Sequence, residues 1–345
     1  MTEHYLDDSV VHAFWDNSHP ARIEINPGDT VIFECREASD NQVTPDSGHE
    51  ALAAPDFSRI HPLTGPIFVN GAEPGDTLEV EVLKLEHKGW GWNGHFPGFG
   101  LLAADFNSTF LQHWRLEGDS CFFRDSDQAE VPYEPFCGVM GVAPEEPGRI
   151  PTIPPGFNGG NIDIRGLTIG AKLLLPVWVE GALFSTADCH AAQGDGEVTG
   201  TGIETPMTVT LRFNVRKDLS LKELQFTTPS PLTKADSKGY YGTTAHGPDL
   251  YVNAQNAVRY MIDWLEANHG LSTSQAYCLC SAAADLKISE IVDAPNWILK
   301  RTPHKSSSQD NYTQNHRLTY QSGDGFVLAV RATSNRIVAQ KYDII

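Results

Sequence analysis

Two segments in the first half of the chain combine the same turn with the same alternation of apolar and polar residues. Each begins with Pro-Gly-Asp-Thr, at residues 27–30 and 74–77, and continues as VIFECRE or LEVEVLKLE. A Pro-Gly-Asp turn followed by a period of two predicts a β-strand with one buried face. A third alternating run, MTVTLRFNV at residues 207–215, predicts another strand. The chain up to about residue 215 is therefore expected to be rich in β-structure.

A β-hairpin is predicted where two further apolar runs follow each other closely. The runs are KLLLPVWV at residues 172–179 and ALFSTADCH at residues 182–190, and only Glu180 and Gly181 separate them. A two-residue connection that contains Gly favours antiparallel pairing of the flanking strands. The segment that ends at His190 should then lie beside the run that begins at Lys172.

The apolar period changes to three and four residues beyond Asp249, which predicts an amphipathic helix that ends before Gly270. Ser272 and Gln275 match a capping box, so a second helix should continue through CLCSAAADL. Alternation returns in LTYQSGDGFVLAVRAT at residues 318–333. We predict an α+β, β-rich fold, with strands and hairpins packed as sandwich-like or barrel-like sheets and a few helices in the C-terminal third.

The charge of the chain excludes several classes of partner. With 44 acidic and 25 basic residues among 345, the formal net charge is −19, so nucleic-acid binding is not expected. No apolar run reaches the length of a membrane span, and the first residues carry no signal-peptide pattern, so we expect a cytoplasmic protein without a membrane partner. The six cysteines form no CxxC pair and are predicted to be reduced thiols.

Candidate metal ligands are concentrated in FSTADCHAAQGDGEVTGTGIE, residues 184–204. Asp188 and His190 are two residues apart, as are Asp195 and Glu197, and on an extended strand this spacing places both side chains on one face. The same spacing recurs upstream, in the pair Asn161 and Asp163. Imidazole with carboxylate ligands favours zinc, whereas a surplus of carboxylate and amide oxygens would suit calcium.

Four stretches resemble the acetamidase/formamidase family. They are HPLTGPIFVNGAEPGDTLEVEV at 61–82, GVMGVAP at 138–144, GFNGGNIDIRGL at 156–167 and DCHAAQGDGEVTGTGIE at 188–204. The resemblance implies a β-rich fold with some helices and the hydrolysis of formamide, acetamide or a related short amide to the acid and ammonia. It also implies one catalytic unit over residues 1–345, β-rich over 1–215 and mixed α/β over 216–345.

Amide hydrolysis requires an activated water, and a divalent metal ion can activate it near neutral pH. We expect the ligands to be Asp188, His190, Asp195, Asn161 and Asp163. Glu204 and Glu197 are expected, with His190, to be the catalytic residues. One of the two glutamates could complete the metal shell, and the other should be the general base, with Glu204 favoured for that role. The alternative for Asp195, Glu197, Asn161 and Asp163 is ordinary turn chemistry.

Substrate contacts are expected from the loop GWGWNGHFPGFG, residues 89–100. Trp92, His95 and Phe99 could form a lid over a small apolar cavity, and the alternative is an aromatic plug packed in the core. For His49 and His61 the interpretation as ordinary loop histidines is favoured, because a lone His specifies little.

Two other functions remain open. A thiol amidase would use Cys189 or Cys137, although alternation places Cys189 on the strand face opposite His190 and favours a buried structural thiol. A non-catalytic β-rich module could instead bind calcium at Asn161, Asp163, Asp195 and Glu197. The many strand edges predict a homodimer, because exposed edges are usually covered or paired.

Overall fold

The computed structural model describes residues 1–126, 128–229, 241–247, 249–290 and 296–302, and the alternating segment 318–333 lies outside them. Two α-helices, α1 (Leu250–His269) and α2 (Thr273–Ala283), follow a long run of strands, and short 3₁₀ helices span His49–Leu52 and Phe57–Arg59. The strands are β1 (Glu3–Leu6), β2 (Val11–His12), β3 (Phe14–Trp15), β4 (Ile23–Ile25), β5 (Thr30–Cys35), β6 (Leu63–Val69), β7 (Thr77–His87), β8 (Trp90–His95), β9 (Phe110–Glu117), β10 (Ser120–Phe123), β11 (Glu130–Pro132), β12 (Phe136–Gly141), β13 (Ile150–Pro151), β14 (Gly159–Asn161), β15 (Lys172–Pro176), β16 (Phe184–His190), β17 (Met207–Arg216), β18 (Gln225–Thr227), β19 (Tyr241–Gly247), β20 (Asp285–Glu290) and β21 (Asn296–Thr302).

Two six-stranded sheets share one apolar core. The first sheet has the order β1-β5-β17-β7-β15-β18, and the second has the order β14-β12-β16-β6-β2, with β4 also paired to β6. Phe33 and Phe213 of the first sheet meet Phe184 of the second, with ring centroids 5.0 to 6.2 Å apart. All three rings are fully buried. The sheets therefore form a sandwich, and within the described residues no sheet closes into a barrel.

The two Pro-Gly-Asp turns have the same local structure, and the strands predicted after them are confirmed as β5 and β7. Gly28 and Gly75 both have positive φ, at 91° and 94°. In each turn the carboxylate of the next residue, Asp29 or Asp76, accepts the backbone N–H three positions earlier, at 3.0 and 2.9 Å. β17 pairs with both strands in the first sheet, as expected for three alternating segments that share one buried face.

The predicted hairpin between residues 172 and 190 is wrong. β15 pairs with β7 and β18 in the first sheet, whereas β16 pairs with β12 and β6 in the second. Gly181, Ala182 and Leu183 have φ of 73°, 60° and 53°, so three successive left-handed residues carry the chain from one sheet to the other. β16 consequently lies next to β12, which brings the segment around Gly138 up to Asp188.

A third sheet, with the order β11-β10-β9-β8, packs against the two helices. Its buried side chains, including Trp114 and Phe123, share a core with Val258 and Met261 of α1 and Tyr277 of α2. The three remaining described C-terminal strands pair in the order β19-β21-β20. No helix in the described part of the chain is long and apolar enough to cross a membrane.

Both predicted helices are confirmed, but the second is shorter than predicted, because α2 ends at Ala283 and the last two residues of CLCSAAADL begin β20. The Asp249 side chain accepts the backbone N–H of Tyr251 and Val252 at the start of α1, and Gly270 ends it in the left-handed conformation. Ser272 and Gln275 form the reciprocal capping box of α2. Most strands precede the two helices along the chain, and strands outnumber helices, which confirms the α+β class.

Gly270 gives a test of the helix ending. Its φ is 64°, and a Cβ added there would meet no atom within 4 Å, so a side chain would cost only backbone strain. We expect Gly270→Ala to lower the free energy of unfolding by about 1 to 2 kcal/mol. Gly270→Asn is the matched variant and should lose less, because Asn tolerates the left-handed region. Urea denaturation measures both, and equal losses would contradict the explanation.

Candidate functional site

The C-terminal end of β16 carries the centre of the site. Asp188 interrupts the regular strand, with φ of 56°, yet its Oδ1 lies 3.4 Å from Nε2 of His190. Across the ladder, Gly138 lies between the pairs Cys137↔Cys189 and Val139↔Ala187. A Cβ at Gly138 would come within 2.5 Å of Asp163 Oδ1 and 2.6 Å of Asp188 Oδ2. Glycine at this position therefore leaves the space in which two carboxylates approach each other.

Two further segments complete the cluster. The backbone N–H groups of Ile162 and Asp163 donate to the Gly138 carbonyl, which holds Asp163 above β12. Glu204 forms isolated β-bridges with His190 and with Trp92, so it joins the end of β16 to β8. The site is thus built where three separate parts of the chain meet at one strand end.

His190 is the common neighbour of the acidic groups. Its Nε2 lies 3.1 Å from Glu204 Oε2, 3.4 Å from Asp188 Oδ1 and 4.0 Å from Glu197 Oε1. Its Nδ1 lies 4.0 Å from Asp163 Oδ1. Two groups of three residues each offer ligand atoms that lie within 4.8 Å of one another. One group is Asp188, His190 and Glu204, and the other is Asp163, His190 and Glu197.

The orientation of the His190 ring is fixed by Gln193. Nδ1 of His190 lies 2.7 Å from Oε1 of Gln193, and Nε2 of Gln193 donates to the Asp163 carbonyl at 3.3 Å. Since that second bond uses the amide nitrogen, the amide oxygen faces the ring and accepts the proton of Nδ1. Nε2 is then the atom directed at the carboxylates, and it makes no hydrogen bond although it is buried.

Burial and mutual repulsion dominate the electrostatics. Burial, together with the charge of Asp188, raises the pKa of Asp163 to about 7. Burial likewise raises the pKa of Glu204 to about 8, and it raises that of Glu197 well above its usual range. Despite burial, Glu204 and Asp188 raise the pKa of His190, and the histidines His61 and His190 lower that of Asp188. The cluster therefore holds protons unless a cation replaces them.

Several buried polar atoms around the cluster make no hydrogen bond. Besides Nε2 of His190, they are Oε2 of Glu204, Oδ1 of Asp163, Oδ1 of Asn161 and Nδ1 of His61. Unpartnered buried polar atoms are costly, and a group of them at one place suits a ligand that supplies the missing interactions. Nitrogen and carboxylate oxygen donors are the set that binds zinc and similar divalent metals. These residues therefore fit a metal ion.

A cavity of about 120 Å³ borders the cluster. Its polar lining consists chiefly of Asp163, Asp188, Glu197, Glu204 and Asn161, and His61 adds an imidazole. Among the described residues that line it, none is Lys or Arg. Trp92 and Phe99, two of the predicted substrate contacts, lie on its wall.

Two predicted site residues lie elsewhere. The Asp195 carboxylate is 3.1 Å from Nε of Arg165 and partly exposed, because the left-handed Gly196 and Glu197 break the alternation that would have aligned Asp195 with Glu197. His95 is fully buried, contacts Ser274 Oγ at 3.0 Å and stacks on Phe110, outside the cavity. Trp92 and His95 are three positions apart on β8, so they point to opposite faces of the strand.

The sequence interpretation undervalued one residue and missed another. His61 Nε2 lies 3.8 Å from Asp188 Oδ2, so this histidine belongs to the site, whereas His49 accepts the Leu111 N–H away from it. Gln193 had no predicted role. Its position three residues after His190, within the most distinctive motif, was the available signal.

The cysteines lie outside the cavity. Cys189 and Cys137 are buried in the core between the sheets, with their sulfur atoms 3.9 Å apart. The neighbouring thiols and burial raise the pKa of Cys189 well above its usual value, which disfavours a thiolate. The expectation of a buried structural thiol is confirmed for Cys189.

Comparison with known proteins gives a consistent result. The profile of the Acetamidase/Formamidase family matches residues 2–149 and 147–304. A putative formamidase from Schizosaccharomyces pombe is 29% identical over 357 residues, which cover 83% of this chain and 87% of that protein.

Solved structures extend the comparison. A γ-lactamase from Delftia acidovorans shares the fold, with a TM-score of 0.81 at 24% identity, over 94% of this chain and 99% of its own. The crystal structure of an acetamidase from Bacillus halodurans is 33% identical, with a TM-score of 0.60, over 86% of this chain and 96% of its own. The matches span almost the whole described chain, and the protein belongs to the acetamidase/formamidase family.

Proposed function

We propose that the protein hydrolyses the amide bond of a short aliphatic amide, of the formamide or acetamide type, and releases the carboxylic acid and ammonia. A divalent metal ion at the His190 cluster would activate the water. Membership of the family, and relatives named formamidase and acetamidase, support an amidohydrolase that acts on short amides.

The observation that carries the metal-dependent part is the environment of His190 Nε2. This atom is directed at Glu204 and Asp188 and makes no hydrogen bond. No described residue that lines the cavity is Lys or Arg. A divalent cation would supply the missing positive charge. An imidazole with several carboxylates favours zinc over calcium, because calcium prefers oxygen ligands alone. Asp188, His190 and Glu204 would hold it, with Asp163 beside them.

The ion would lower the pKa of a bound water and polarise the amide carbonyl. Proton transfer would fall to a side chain, and Glu197 suits this role better than Glu204. About a fifth of its side chain is exposed, whereas Glu204 is almost fully buried and its Oε1 accepts the Gly202 N–H at 2.8 Å. Glu197 would take a proton from the attacking water and deliver it to the amide nitrogen as the C–N bond breaks.

The two alternative functions have less support. A calcium-binding module would need Asp195, whose carboxylate pairs with Arg165 instead. A thiol mechanism would need a reactive thiolate, and Cys189 is fully buried with a raised pKa. Both remain outcomes of the experiments below.

The first test removes ligands. We expect His190→Ala and Asp188→Asn to lose the bound metal and to lower ammonia release from acetamide by at least about a hundredfold, because each removes one of the three proposed ligands. Asp195→Asn is the matched control, since it changes a neighbouring carboxylate outside the cluster and should keep both metal and activity. Elemental analysis and an ammonia assay measure the two quantities, with circular dichroism as the check of folding.

Each alternative predicts a different result for this test. Ammonia release that survives both chelation and His190→Ala would exclude the metal mechanism, and additional loss on treatment with iodoacetamide would favour a thiol enzyme. Calcium as the bound metal, with no ammonia released from any amide, would favour the binding module.

The second test separates Glu197 from Glu204. We expect Glu197→Gln to keep the metal and to lower kcat by roughly 10²- to 10⁴-fold, because Gln cannot transfer the proton. Glu204→Gln should mainly weaken metal binding. Metal titration of each variant, followed by kinetics at saturating metal, measures the difference, and the reverse pattern would assign the base to Glu204.

The third test concerns pH. Because burial raises the pKa of Glu204 to about 8 and of Asp163 to about 7, both carboxyls are protonated in the metal-free protein below these values. A metal ion must displace these protons, so its affinity should fall as the pH falls, roughly tenfold per pH unit for each proton displaced. Titration calorimetry in buffers of different ionisation enthalpy counts the protons. Affinity independent of pH between 6 and 9 would contradict the arrangement.

A further inference from the structure

We propose that the acyl group of the substrate is uncharged, apolar and larger than acetyl, about four to six carbons long, given the space that each group needs in a cavity. It would lie against the apolar wall of the cavity that borders the His190 cluster. This inference rests on the proposed function, because it names the amide that the same site would take.

The wall of the cavity is mainly apolar. Away from the carboxylates, most lining residues are aliphatic or aromatic, and the largest of these are Phe57, Trp92, Phe96 and Phe99. The rings of Phe96 and Phe99 are stacked with their centroids 5.0 Å apart. Formamide and acetamide have no acyl chain long enough to cover such a surface. An apolar wall without an apolar ligand would stay in contact with water, which is unfavourable.

The cavity is larger than acetamide requires. It measures about 120 Å³, and a water-sized group needs roughly 10–15 Å³ of such space, so about eight to twelve groups fit. Acetamide has only four non-hydrogen atoms. After a metal ion and one water are placed, the space still exceeds acetamide by several carbon atoms.

The cavity adjoins a groove of about 370 Å³ that is lined by apolar residues. The two share Leu52, Pro55, Phe57, Phe96 and Phe99 in their linings. The Phe57 side is open to solvent, since this residue is 46% exposed. Apolar side chains therefore line a path from the outside of the protein to the cavity, which an acyl chain would follow.

Hydrogen bonds fix part of the wall in place. Nε1 of Trp92 donates to Glu37 Oε2 at 2.9 Å, and Glu37 is fully buried. The same carboxylate accepts from the backbone and hydroxyl of Ser39 and from the backbone of Asn41. A tryptophan held in this way forms a preorganised surface, which lowers the entropic cost of binding.

Charge restricts the acyl group further. The cavity lining contains Asp163, Glu197 and Glu204, and no described lining residue is Lys or Arg. A carboxylate on the acyl chain would meet an apolar wall without a cationic partner, which is costly. The acyl group is therefore expected to carry no charge.

The experiment compares acetamide, butyramide, hexanamide and the anionic amide succinamate on the metal-containing protein, with calorimetry for binding and an ammonia assay for turnover. Each methylene buried against the wall should raise affinity and kcat/KM roughly fourfold, so butyramide should exceed acetamide by about fifteenfold. Hexanamide should exceed butyramide, and succinamate should bind no better than acetamide.

A space-filling variant tests the location. Ala51 lies on the cavity wall, and Ala51→Phe should lower the ratio of kcat/KM for hexanamide over acetamide at least tenfold. The matched control is Glu50→Phe, which places the same ring on the exposed neighbour outside both cavities and should leave the ratio at the parent value. An equal drop in both variants would overturn the assignment of the wall.

The outcomes separate this inference from the proposed function. Binding that does not strengthen from acetamide to hexanamide, or that is strongest for succinamate, would overturn the inference whether or not ammonia is released. Binding that strengthens along the series without release of ammonia from any amide would leave the inferred ligand class standing and would overturn amide hydrolysis.

Discussion

Four buried or half-buried carboxylates share the neighbourhood of one imidazole, and the rest of the site follows from the need to balance their charge. Asp163, Asp188, Glu197 and Glu204 line a cavity in which no described residue is Lys or Arg. Like charges this close cannot all ionise in a poorly solvated place, so positive charge must come from protons or from a cation. The raised pKa values of three of these groups and the unpaired Nε2 of His190 reflect the same demand.

The fold imposes this arrangement against the local preference of the chain. His61, Asp163, Asp188 and Glu197 all have positive φ, and they are half of the eight non-glycine residues with positive φ in the described chain. Each left-handed residue costs on the order of 1 to 2 kcal/mol. Such conformations persist only where surrounding structure determines them. The Gly138 carbonyl does so for Asp163, and the pairing of β16 with β12 does so for Asp188. The strained backbone positions therefore lie at the same place as the clustered carboxylates.

These left-handed residues also explain how far the sequence could predict the structure. Periodicity and capping signals gave β5, β7, β17 and both helices, because those elements obey local rules. Asp188 and His190 lie close together as predicted, although the left-handed Asp188 interrupts the extended strand on which that prediction rested. The predicted hairpin is wrong because three left-handed residues redirect the chain from one sheet to the other. The predicted alignment of Asp195 with Glu197 does not form, because the backbone turns at Gly196. His95 lies outside the cavity because residues 90–95, predicted as a loop, form the strand β8, in which an odd separation places His95 and Trp92 on opposite faces.

The carboxylates and the apolar wall come from different parts of the chain, so substrate specificity can vary separately from the reacting groups. The carboxylates stand on β16, on the segment after β14 and on the turn that leads to Glu204, whereas the wall comes from residues 38–60 and 92–99. Residues 38–60 lie between β5 and β6, outside the strands, and loops tolerate change better than paired strands, so this part of the wall can change shape while the cluster stays intact. His61 limits this freedom, because its backbone N–H donates to Ala38 O and its ring faces Asp188. A displacement of the 38–60 loop would therefore move His61 and disturb Asp188. A change of acyl specificity that leaves catalysis intact should then result from substitution of side chains on the loop and not from a change in its length.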